Sequence, residues 1–324
     1  GGVALAFWLS PPPQPSEPLS LPVKKIAKNY YSPLTGKKVK NKAATRKPVT
    51  AIMIENSLDA RPQSGLKDAE VVYEAIAEGG ITRFLALYQQ NSPSTVGPVR
   101  SLRPYYLDWL TPYNPSIIHV GGSAKALRQV KKGPYRDLDQ FFYPAIYERT
   151  TDRLAPHNVY TSFKKIKALN KTKQYKTSKA KAFKRKSLSK AKKPNASKIS
   201  VHISGASFDS SYSYKRSKNA YVRSQGGEVH KDRENGVITP QVIIVMTVDE
   251  RTVREETDRE AIKTTGKNRV VIFQNGTVKR GFWKRSTIKN QFVFIDTKGK
   301  SIPLARGQTW ITAIPQGAGS VSWK

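Results

Sequence analysis

Apolar residues fall in short, bounded runs along most of this chain. Val49 to Glu55 (VTAIMIE) is continuous, of strand length, and predicts a buried strand. Asn56 to Gly65 (NSLDARPQSG) is rich in turn formers. Val71 to Ile76 and Ile81 to Tyr88 predict two more strands, separated by Glu78-Gly79-Gly80. SLRPYYLDWL reads as a helix start, with Pro104 near the first helical position. Ser116 to Val120 (SIIHV) is a further strand. It runs through Gly121-Gly122-Ser123 into AKALRQVKK, a helix with Ser123 as its cap. SFKKIKAL predicts a third helix, opening at Thr161 or Ser162.

The pattern changes after residue 199. Val242 to Val248 (VIIVMTV) is a long apolar strand, and RVVIFQNGTVKRGFW carries the hairpin signal Asn275-Gly276. QFVFIDTKGKSIPLARGQTWITAIP adds two strands around Lys298-Gly299. The expected fold class is α+β, or mixed. An N-terminal mixed α/β domain spans 32–163, and a β-rich C-terminal domain spans 199–324.

Charge redraws the segment between them. The 324 residues hold 57 Lys plus Arg against 23 Asp plus Glu, a net +34. Residues 49–163 account for only +1 of this. Residues 164–198 carry 15 basic and no acidic side chains, and residues 199–324 carry a net +10. Self-repulsion and scarce apolar residues make 164–198 a Lys-rich linker or insert, expected to be solvated and mobile. Residues 1–31 (GGVALAFWLS, then a Pro-rich stretch) read as the outer end of a signal remnant or membrane anchor, followed by a stiff spacer.

There is no Cys, which excludes disulfides, thiolate metal sites and Cys nucleophiles. HExxH, GxSxG, Walker and GxGxxG patterns are all absent. The residues imply no metal site and no cofactor.

Two places could hold an anion. One is the Gly121-Gly122-Ser123 turn at a helix start; the other is GPVRSLRP, where Arg100 and Arg103 precede a helix N-terminus and call for a negative partner. That partner is either a ligand or an internal carboxylate: Glu55, Glu74, Glu78 or Asp108. Arg83 belongs to the same argument. Candidate polar or acid/base positions are Glu55, Asn56, Glu74, Glu78, His157, Asn158, His230 and Asp232. His119, inside an apolar strand, reads as a hydrogen-bonded core group. The loop Arg153 to Asn158 either braces the chain or forms part of a site. In YVRSQGGEVHKD, His230 and Asp232 would share one strand face, half of a catalytic arrangement.

These motifs converge on one family. SPLTG (32–36), MIENSLDARPQSGL (53–66), AEVVYEAIAEGGITRFLALY (69–88), VGPVRSLRPYYLDWL (96–110), HVGGSAKAL (119–127) and APHNVYTS (155–162) resemble the YerB-like bacterial surface lipoproteins. In the second half YVRSQGGEVHKD, the strand at 242–248 and LARGQTWI (304–311) carry the resemblance more loosely. It implies a two-domain protein of unknown activity outside the cytoplasmic membrane. The family's lipid-modified Cys has no counterpart here, so the tether is expected from a peptide anchor or from a start further upstream. The Lys-rich insert also departs from the family pattern.

The leading expectation is therefore a membrane-tethered, extracytoplasmic envelope protein that binds an anionic wall polymer, lipid headgroup or surface protein. The alternative is an enzyme acting on a phosphorylated or carboxylated envelope glycan. In it Arg83, Arg100 and Arg103 would hold the anion, with Glu55, Glu74 or Glu78 as acid or base. Nucleic-acid binding through the Lys-rich segment ranks last, because no nucleic-acid module is present.

Overall fold

The computed structural model describes residues 1–4, 28–187, 189–254 and 258–324. The expected anchor and proline spacer lie, but for 1–4 and 28–31, outside the described residues.

Strands form where the apolar runs stand, and also at stretches without such a run, such as Arg136–Asp139 and Ser210–Lys215. In the first half the strands of the large sheet are β1 (Thr50–Glu55), β2 (Val71–Glu78), β3 (Ile81–Tyr88), β4 (Ser116–His119) and β5 (Arg136–Asp139). They are joined by α1 (Pro104–Leu110), α2 (Ala124–Lys132) and α3 (Phe163–Thr172). Ser123 and Ser162 cap α2 and α3, their hydroxyls accepting from the N–H of Ala126 and of Lys165. The second half gives β6 (Lys198–His202), β7 (Ser210–Lys215), β8 (Ala220–Gln225), β9 (Glu228–Val229), β10 (Val242–Val248), β11 (Gly266–Gln274), β12 (Thr277–Arg285), β13 (Val293–Asp296), β14 (Thr309–Pro315) and β15 (Ser320–Trp323). Between residues 199 and 324 the described residues hold no α-helix. The molecule is strand-rich with mixed sheets. The hairpin at Asn275-Gly276 forms as the dipeptide predicts, both residues at positive φ.

The two halves do not keep separate sheets. One ten-stranded sheet runs β13-β12-β11-β10-β14-β2-β3-β1-β4-β5. Its joint is β14, parallel to β10 on one side and to β2 on the other, with Trp310 opposite Val72 and Thr312 opposite Glu74. The last long strand therefore closes an edge that the first half would leave open. It also explains why the run at 242–248 is apolar but for Thr247, since β10 is interior to the sheet and covered on both faces. One face carries α1 and its aromatic residues: Tyr73 stacks on Trp109 with centroids 5.5 Å apart. The opposite face is covered at the first half by α3. At the second half it is covered by a five-stranded sheet, β9-β8-β7-β6-β15.

The Lys-rich stretch departs from the expected mobile linker. It is a strap held down at a few points, with Ser178, Phe183 and Ala196 buried. Ser178 accepts from the Val49 N–H (2.9 Å) and donates to the Asn114 carbonyl (2.8 Å). Phe183 packs against Tyr113 and Phe294, one from each half. Arg185 donates to the carbonyls of Leu34 and Ala305 and to the Thr309 hydroxyl. The SPLTG turn makes room for it: Gly36 has φ +66°, and a Cβ there would lie 2.7 Å from Arg185 Cδ. The charge count missed this because the lysines stay in solvent while a few widely spaced side chains, Ser178, Phe183 and Ala196, are buried.

Candidate functional site

The segment GPVRSLRP is the element that gathers the expected residues. It threads between β1 and the Gly121 turn. The Arg100 N–H donates to Met53 O, Val120 N–H to Arg100 O, and Leu102 N–H to Gly121 O. This places Glu55, Arg83, Arg100, Arg103 and Gly121 along one end of the sheet, at the carboxyl ends of the parallel strands β1, β4 and β5.

There the arginines already hold carboxylates. Arg100 Nε stands 3.2 Å from Glu55 Oε1, and His157 Nδ1 stands 3.0 Å from Glu55 Oε2. Arg83 pairs with Glu78 at 3.0 Å and also donates to Ser101 O. Arg103 takes the other oxygen of the same Glu78. Of the two partners sequence left open for these cations, the internal carboxylate is the one in place. The Gly turn is likewise committed: Gly121 N–H donates to Asp139 Oδ1 (2.8 Å) and Ser123 N–H to Leu102 O. The glycines serve close packing, since a Cβ on Gly122 would lie 2.9 Å from Leu102 O and Gly121 has φ +57°. His119 is the core group expected, between Gly121 O and Asp137 Oδ1.

Glu74 and Asn56 point to the opposite face, into a buried network joining the halves. Glu74 accepts from Arg223 (2.8 Å), Trp310 Nε1 (3.1 Å), Thr82 and Gln225. The Arg223 guanidinium lies 4.4 Å over the Trp310 ring and also contacts His230. His230 reaches Gln63 Oε1 (3.0 Å), and Gln63 donates to Glu55 O and Asn56 Oδ1. Asn56 closes the ring by donating to Thr82 Oγ1. Burial, then the charges of Arg223 and Arg61, push the His230 pKa well below the ordinary imidazole value, so the ring is neutral at neutral pH. Burial is the largest single influence on Arg223 and works against its charge, but Glu74 and Tyr212 together outweigh it and the net shift is upward.

The expected pairing of His230 with Asp232 is not made. Residue 230 interrupts the extended stretch, and Asp232 turns away to accept from the N–H groups of Lys67, Glu234 and Asn235. Asp232 is a turn-forming residue. Asn158 and Arg153 brace their loop: Asn158 holds Arg149 and Thr150 O, and Arg153 donates to Pro62 O. Sequence reading missed Arg223, Gln225 and Trp310. Arg223 and Gln225 share a strand face at i and i+2, which was visible, but their partner Glu74 is about 150 residues away in sequence.

A pair of consecutive family models matches this chain. Residues 34–176 match the N-terminal domain, and residues 199–311 the C-terminal domain, of "Protein of unknown function (DUF3048)". A Bacillus subtilis (strain 168) protein named "Putative lipoprotein YerB" is 33% identical over 295 residues, 89% of this chain and 87% of that protein. The chain belongs to this DUF3048 family. The crystal structure of the YerB protein from Bacillus subtilis is similar, with a TM-score of 0.80 at 30% identity, covering 90% of this chain and 99% of that one. The gap between the two matched segments, 177–198, falls on the Lys-rich strap.

Proposed function

We propose that this chain is a tethered envelope protein that binds an anionic partner outside the cytoplasmic membrane and does no chemistry on it. The tether draws on the relative's name as a lipoprotein. Among the described residues no helix is long and apolar enough to cross a membrane.

The observation that carries the binding reading is the strap. Its lysines, among them Lys176, Lys179, Lys184, Lys186 and Lys193, are exposed on a segment that Ser178, Phe183 and Arg185 hold to the body. A fixed row of cations attracts a polyanion without first losing the entropy of ordering a loose tail. The enzyme alternative draws on Arg83, Arg100 and Arg103, and each of these faces a carboxylate. The test is equilibrium binding of linear polyphosphate across a salt series, with duplex DNA as competitor. Affinity that falls steeply with salt, and that DNA does not match, supports the reading. No measurable binding at low salt, to polyphosphate or to anionic lipid vesicles, would sink it.

A further inference from the structure

The strap lies beside a cleft whose charge is not balanced from within. The cleft, of about 530 Å³, lies between α2 and the loop at Ile288-Lys289. Lys125, Arg128 and Lys132 enter it from one face of α2, at spacings of three and four residues, and Lys289 faces them from the second half. Among the described residues none of these four has a carboxylate within ion-pair distance. Arg136 adds a fifth cation, held by Thr177 O and the Tyr175 ring. Asp108 is the single acidic residue of the lining; its carboxylate accepts from Thr264 Oγ1 (2.7 Å) and, beyond ion-pair distance, feels the charges of Arg285 and Lys125, so it offsets only part of the cleft's charge. The floor is apolar: Pro115, Pro134, Tyr135 and Ile288. Gly133 seats the Tyr135 ring, since a Cβ there would overlap it. Lys181 of the strap donates to Lys289 O, so the strap's cations continue from the cleft mouth.

We infer that this cleft is the recognition site for a linear phosphate-bearing polymer, its phosphates on Lys125, Arg128, Lys132 and Lys289 and its carbon backbone on Tyr135 and the prolines. The inference rests on the binding function proposed above and gives it a place and a ligand class. The geometry favours a chain over a single anion. The α2 cations succeed one another at about 4.5 and 6 Å along the helix axis, forming a row where a compact site would converge on one point. It also favours a chain over a bilayer, because the cations line a concavity with an apolar floor. A flat membrane face would leave that floor in water.

The test uses the full chain with linear polyphosphate of one length, and with phosphatidylglycerol vesicles as a second ligand. Arg128→Gln with Lys289→Gln neutralises two exposed cleft cations. Lys190→Gln with Lys192→Gln neutralises two at the far end of the strap, where Ala191 meets the Asn275 turn. All four side chains are exposed, and equal denaturation midpoints verify the fold. The cleft pair is expected to weaken polyphosphate binding about tenfold and to lower the salt slope by roughly two, one per cation removed. The strap pair should do distinctly less. Equal losses from both pairs, or wild-type affinity in the cleft pair, would overturn the site while leaving the binding function standing. Vesicle binding without polyphosphate binding would overturn the ligand class. A wild-type chain that binds neither would remove the function on which the site rests.

Discussion

Glu74 and Arg223 meet at 2.8 Å across the boundary between the two halves, both side chains out of solvent. Trp310, on the strand that joins the halves, donates to the same carboxylate and lies under the same guanidinium. The pair ties β2 of the first half to β8 of the second.

Removing one partner should be costly. Glu74→Gln or Arg223→Met leaves a buried charge uncompensated, at a cost of about 3 to 5 kcal/mol. The double substitution should cost less than the sum of the two singles. Urea unfolding of the four proteins measures both quantities; additive losses would show that the two residues are not coupled.

His230 gives stability a dependence on pH. Its folded pKa lies well below its unfolded value, chiefly through burial. Between those two values the unfolded chain binds the extra proton and the folded chain does not. Stability is thus fully present above about pH 6.5 and falls on acidification, by up to about 1.4 kcal/mol per pH unit. His230→Gln should flatten the upper part of that fall, read from denaturation midpoints between pH 7 and 5.5 at roughly half-unit steps. An unchanged profile would mean that the imidazole is protonated in place.

Glu250 acts in the other direction. Its carboxyl oxygens lie buried without a hydrogen-bond partner among the described residues. Burial, with Glu260 nearby, pushes its pKa up to about 8. The folded chain therefore keeps a proton that the unfolded chain has lost, and this contribution declines as pH rises from the ordinary carboxyl range through about 8. Glu250→Gln should raise the midpoint at pH 8 and leave it nearly unchanged at about pH 4, where both states are protonated. A lower midpoint at both pH values would assign Glu250 a structural contact instead.

The strap should behave as part of the fold. Arg185 is pushed down to about 10 by burial, so it stays charged at neutral pH while it holds Leu34 O, Ala305 O and Thr309 Oγ1. Arg185→Met leaves those acceptors short of donors and is expected to cost about 2 kcal/mol. Limited proteolysis should then cut the lysine-rich stretch faster than in the wild type. Equal cutting rates would restore the mobile-linker picture.

Gly122 is a packing requirement. An alanine methyl would lie 2.9 Å from the backbone oxygen of Leu102, an atom that cannot swing aside. Gly122→Ala should lower stability by about 1 to 3 kcal/mol, as overpacking does. At Gly79 an alanine methyl would meet nothing within 4 Å, although φ is +54°, so Gly79→Ala should cost less than that. The reverse ranking in thermal unfolding would contradict the close approach of the two segments.

Much of the local structure was legible in residue order. Apolar runs of strand length became β1, β3 and β10, Asn275-Gly276 became a hairpin, and Ser123 and Ser162 became helix caps, because each is decided by neighbours a few residues apart. The candidates around Arg100 were legible as a group, since one short segment carries Arg100 and Arg103 past β1 and the Gly121 turn. Their partners were not. Glu78 serving two arginines follows from a hairpin folding back beside another segment, and spacing alone does not encode that. The sharing of one sheet by both halves, the Glu74–Arg223 pair and the seating of Arg185 join positions more than a hundred residues apart. Sequence by itself determined the elements and the total charge. Only the tertiary structure decided which charges are cancelled at the end of the sheet and which, in the α2 cleft, are left facing solvent, because that depends on distances across the fold.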